Sequence, residues 1–176
     1  EMKLGICNEL FVNWPWEKIC DFASGVGYQG IEVAPFTLAD RAELITPQRR
    51  AALRESAESR GLEIIGLHWL LMKPPGLYIT HPDAGIRRET ARYFVELVGL
   101  CADLGGKVMV IGSPKQRSLM PGVKREQAMG YAAEVFTACL ELAGKRGVTL
   151  AIEPLSTRET DFLMCASDAV ELIERI

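Results

Sequence analysis

The sequence predicts an α/β domain of five consecutive βα units on one parallel sheet. Three observations carry that prediction. Short apolar runs recur at residues 3–7, 30–34, 62–67, 107–111 and 148–152. Most of them are continuous rather than alternating, as expected of strands covered by helices on both faces. Each interval between runs is long enough for a strand, a loop and a helix, and each carries helix start and stop residues.

Taken in order, the first helix follows Asn13, with Pro15 in its first turn, and stops near Gly25. Thr46 caps the second, which has Pro47 at its first position, runs through Ala51, Leu53 and Ala57, and stops at Gly61. Asp83 caps the third, whose Tyr93, Phe94, Leu97, Leu100, Cys101 and Leu104 share one face before Gly105 and Gly106 end it. The fourth runs from about Arg125 to Arg146 and ends at Gly147. Ser167 and Asp168 open a fifth, with Ala169, Val170, Leu172 and Ile173 as its apolar side. No stop residue follows, so the reading expects residues 1–176 to be a single domain cut within that helix.

Two architectures accommodate five such units. One is a five-stranded, doubly wound open sheet; the other is the first part of a (β/α)8 barrel, whose full length is about 250 residues. Both bind ligands at the C-terminal ends of the strands, where the long connections 73–82 and 113–123 emerge.

Composition narrows the function. The chain of 176 residues is 48% hydrophobic and carries 20 Lys and Arg against 23 Asp and Glu, for a net charge of -3. That excludes a disordered chain and lacks the basic footprint of a nucleic-acid or membrane-surface binder, which leaves small-molecule chemistry. Five cysteines without a CxxC pair read as reduced thiols in a cytoplasmic protein. Glu1 precedes Met2, and the reading places the natural start at Met2, with no secretion signal or membrane span.

Among the motifs, residues 25–30 match GxGxxG but lie between a helix and the next strand. A dinucleotide site needs the order strand, turn, helix, so these glycines read as a helix stop and a turn. Glu32 and His68 stand at the ends of the second and third strands, where each is either satisfied by a neighbour or lines a pocket. His81 lies in the Pro-rich connection, as a solvated residue or a lid contact. Ser113, Lys115 and Arg117 form a loop suited to phosphate, carboxylate or sugar hydroxyls, or else to solvent. The strongest signal is Glu153, ending the fifth strand, with Glu159 six residues on. A carboxylate held rigidly at a strand end serves as a hard-cation ligand or a general base, or else the pair is a strand-end salt bridge and an exposed loop Glu.

Ile152-Glu153-Pro154-Leu155, with Arg158-Glu159-Thr160-Asp161 after it, resembles the fifth-strand motif of the sugar phosphate isomerase/epimerase family, the xylose isomerase-like TIM barrels. Gly30-Ile31-Glu32-Val33, Gly66-Leu67-His68 and Gly112-Ser113-Pro114 support the resemblance. It implies a partial (β/α)8 barrel of about five units, and a divalent-metal-dependent isomerase or epimerase that moves a proton through an enediolate on a ketose, inosose or small hydroxy-keto substrate. It further implies that Glu153 is both metal ligand and acid/base, and that Glu159 contacts substrate hydroxyls. His68, Glu32, Ser113, Lys115 and Arg117 are then expected around the substrate. The ion would be Mn, Mg, Co or Zn, its other ligands an Asp, a His and a Glu on strands beyond residue 176. The expected partner is a small sugar, with no nucleic acid and no membrane, and association into a homo-oligomer is one way for five units to close. The alternatives are a non-catalytic α/β ligand-binding domain and, less favoured, an abasic-site endonuclease-like metal hydrolase.

Overall fold

The computed structural model describes residues 2–176. Its five strands are all parallel: β1 (Gly5–Cys7), β2 (Gly30–Val33), β3 (Glu63–Leu67), β4 (Val108–Ile111) and β5 (Thr149–Ile152). They stand in the order β1-β2-β3-β4-β5, so every strand pairs with its neighbour in sequence. A doubly wound sheet reverses its order part-way across. The unbroken order is that of a barrel wall, and it removes the open doubly wound alternative.

The helices are α1 (Trp16–Gly25), α2 (Pro47–Glu58), α3 (Ala84–Asp103), α4 (Arg125–Arg146) and α5 (Ala166–Ile173). Their ends follow the local chemistry. Thr46 Oγ1 accepts the amide of Arg49, and Asp83 Oδ1 accepts the amides of Gly85 and Ile86. Gly147 ends α4 in the left-handed conformation, and Gly27, at φ 94°, makes the turn into β2. Two starts differ from expectation. Pro15 is the extended residue before α1 rather than part of its first turn. Asp168 sits inside α5 and accepts the amides of Met164 and Cys165, which moves the helix start back to Ala166.

Burial along the strands also departs from the expectation of two covered faces. Met109 and Ile111 of β4 are buried beneath the helices, where Phe94 of α3 and Phe136 of α4 meet edge to face at 5.2 Å. Val108 and Val110, on the other face, are only partly covered, and Ile65 of β3 is exposed. The second face lines the concave side of the sheet, and its apolar residues stay partly open there. Val170 and Ile173 of α5, expected as core, are exposed as well. No helix among the described residues is long and apolar enough to cross a membrane.

One irregularity positions the site. Ile31 pairs with Ile64, but Glu32 pairs with Gly66, so β3 carries one extra residue, Ile65. Ile65 fills the concave space left by Gly5 and Gly30, since a Cβ on either would strike its side chain at 2.4 Å or 2.6 Å. A Cβ on Gly66 would lie 1.9 Å from the Val108 carbonyl oxygen, so only glycine permits β3 and β4 to approach there. Beyond the bulge the His68 amide bonds to the Val33 carbonyl at 3.0 Å, and its side chain is brought to the level of Glu32.

Candidate active site

Four of the sequence-predicted residues come together at the C-terminal ends of the strands. His68 Nδ1 lies 3.2 Å from Glu32 Oε2, and Nε2 lies 3.4 Å from Glu153 Oε2. The imidazole thus links the carboxylates of β2 and β5 across the arc. All three side chains are partly buried, at 25% relative exposure for His68, 29% for Glu32 and 39% for Glu153. The hydrogen bond to Glu32 raises the His68 pKa, burial opposes this, and the charges of Glu32 and Glu153 add to the rise.

A cavity of about 130 Å³ opens here, lined by His68, Trp69, Gly112, Glu153, Leu155 and Glu159 among others. Glu159 is exposed on the loop after β5, its Oε2 accepting the amide and hydroxyl of Ser156 at 3.2 and 2.8 Å. Trp69 holds φ 56°, a left-handed conformation costly for a bulky side chain, and its ring stacks on His68 at 6.0 Å. Gly112 makes the His68–Glu153 contact feasible, because a Cβ there would lie 2.0 Å from Glu153 Oε2. A hollow of about 410 Å³ beside the loop after β1 is larger, but its lining of Phe11, Trp14, Phe36 and neighbours brings only Glu9 as a carboxylate. The smaller cavity brings together two carboxylates, Glu153 and Glu159, and the His68 imidazole.

The loop after β4 divides differently from expectation. Ser113 is buried, and its hydroxyl accepts the Leu71 amide at 3.1 Å. Lys115 is exposed and does not line the cavity. Arg117 is buried at 1% exposure and donates to the carbonyls of Ile111 at 3.2 Å, Glu153 at 2.7 Å and Leu163 at 3.5 Å. A guanidinium committed to three carbonyls is a strut under the β4 and β5 ends, not a ligand clamp. Burial lowers its pKa, with the charges of Glu153 and Glu159 opposing. His81 accepts the Asp83 amide at 3.0 Å, at the start of α3.

Cys7 is the residue that sequence reasoning missed. It pairs with Glu32 across β1 and β2, and its Sγ, a Glu32 oxygen and a His68 nitrogen lie within 4.8 Å of one another. No spacing announces it, because strand register rather than sequence proximity brings these residues together. Burial pushes its thiol pKa up to about 11.

Residues 20–176 match the family described as xylose isomerase-like TIM barrel. The chain belongs to that family. Solved structures with the same fold include D-psicose 3-epimerase in the presence of D-fructose, at TM-score 0.80 and 20% identity over 99% of this chain and 60% of the other. D-Psicose 3-epimerase with D-tagatose from Clostridium cellulolyticum H10 follows at 0.79 and 16%, again over 99% and 60%. The apo 3-keto-D-glucoside 4-epimerase YcjR from E. coli aligns at 0.77 and 15%, over 99% and 65%. The chain therefore spans about three fifths of the length of these epimerases. No curated protein matches it in sequence.

Proposed function

We propose that these residues form the β1–β5 part of the active site of a divalent-metal-dependent sugar isomerase or epimerase, acting on a ketose, inosose or small hydroxy-keto compound. The observation that carries the proposal is Glu153, a half-exposed carboxylate at the end of β5, held by His68 through one oxygen and sharing its cavity with Glu159. A carboxylate so held suits both roles the chemistry needs, hard-cation ligand and proton acceptor.

His68 engages Oε2, which leaves Oε1 for the ion, so Glu153 fits as one ligand of Mn, Mg, Co or Zn; on this reading the others come from strands beyond β5. The bound ion supplies polarisation of the substrate carbonyl, which acidifies the adjacent C–H. Glu153 takes that proton to leave an enediolate. In an isomerisation it returns the proton to the neighbouring carbon; in an epimerisation a second carboxylic acid, from a strand beyond β5, delivers a proton to the opposite face. Glu159 accepts from substrate hydroxyls, and Trp69 and Leu155 keep water from the reacting face.

The test is Glu153→Gln in the full-length protein loaded with manganese and assayed on D-fructose, D-tagatose and inososes. Turnover falls by ~10³-fold or more, the scale of a lost general base. Near-normal turnover by the variant refutes the assignment. A wild-type protein that holds no metal and changes none of these substrates establishes the ligand-binding alternative instead.

A further inference from the structure

We propose that Cys7, Glu32 and His68 form a second cation site, for a thiophilic divalent ion of the zinc type. β1, β2 and the residue that follows β3 present one donor each. Cys7 and Glu32 are register partners on β1 and β2, and so project from the same face. The bulge at Ile65 brings His68 to their level, with Nδ1 turned to Glu32 and the three donor atoms within 4.8 Å of one another. In a tetrahedral zinc shell, donors bound at 2.0–2.3 Å stand about 3.5 Å apart. The Glu32–His68 edge is already at 3.2 Å, and the remaining edges, at 4.8 Å or less, close by at most about 1.3 Å of side-chain rotation.

A second observation points the same way. Imidazoles that bind metals through one ring nitrogen almost always donate the other N–H to a carboxylate or carbonyl, which fixes tautomer and ring plane. The outer nitrogen of His68 meets Glu153 Oε2 in that manner. Thiolate, imidazole and carboxylate together favour zinc or cobalt over magnesium, calcium or manganese. Three protein ligands leave a fourth position for water or a substrate oxygen, as in catalytic zinc sites. Binding releases the Cys7 thiol proton, and any proton on Nδ1, to solvent while the metal bonds form.

This site stands apart from the reading of Glu153 as ligand of the catalytic ion, and the two fail separately. The test is cobalt titration of the chelator-stripped full-length protein, followed by its thiolate-to-cobalt charge-transfer absorption. Wild type and Cys165→Ser develop the band, whereas Cys7→Ser and Cys7→Ala do not. Zinc affinity in Cys7→Ser falls by more than the ~100-fold that loss of a supporting hydrogen bond costs. Glu153→Gln keeps the band at saturating cobalt, with zinc affinity down ~10-fold. No band in wild type, a band that persists in both Cys7 variants, or a band lost in Glu153→Gln overturns the proposal.

Discussion

Gly112→Ala probes the site without touching a charged group. The added Cβ lies 2.0 Å from Glu153 Oε2, 3.2 Å from its carboxyl carbon and 3.5 Å from His68 Nε2. Ordinary contact begins at 3.4 Å, so the oxygen must retreat by about 1.4 Å. The His68–Glu153 contact, already 3.4 Å long, does not survive such a shift. Gly112 has no positive φ, so alanine adds no backbone strain and the melting temperature stays near wild type. A displacement of about 1 Å at a reacting group costs ~10²-fold in rate, and on the role proposed for Glu153 that is the loss expected in turnover of a ketose. The His68 ring provides a second readout by NMR titration. Its pKa drops in the variant, because one of the carboxylates that raise it has moved away. Wild-type turnover together with an unmoved His68 titration refutes the claim that this glycine sets the geometry.

Three further outcomes follow from the structure. A histidine whose folded pKa lies above the free value of 6.5 stabilises the fold fully below that value, and the contribution fades as pH rises through the folded pKa. Melting temperatures therefore decline across that window in wild type and decline less in Glu32→Gln; parallel curves for the two proteins contradict the pairing. Arg117→Met strands the carbonyls of Ile111, Glu153 and Leu163 and costs ~3 kcal/mol in denaturant unfolding, whereas a loss below ~1 kcal/mol denies the strut. Gly66→Ala forces the β3 and β4 backbones apart and costs ~3 kcal/mol or more, measured by the same assay, and a neutral result excludes the close approach.

The fold was legible because its signals are local. Thr46-Pro47, Asp83 and Gly147 sit where caps and stops are required, and helix α4 begins and ends where its pattern predicts. Glu153 was legible because a carboxylate closing an apolar strand is costly without a task. The loop after β4 was not, because a cation in sequence looks alike whether it faces solvent or braces a strand end. Lys115 is free in solvent while Arg117, two residues on, is buried against three carbonyls. Cys7 and the bulge at Ile65 were invisible for another reason. Register between strands 25 or more residues apart is a property of the sheet, and periodicity within one strand does not report it.

Trp69 carries a consequence for any effort to improve the protein. Its left-handed backbone costs about 1–3 kcal/mol, which glycine at the same position would largely recover. Glycine would also delete the indole that stacks on His68 and forms one wall of the cavity. Selection for heat resistance and selection for turnover therefore pull this position in opposite directions. Libraries screened for thermostability alone would drift toward glycine at 69 and, in doing so, open the cavity to water.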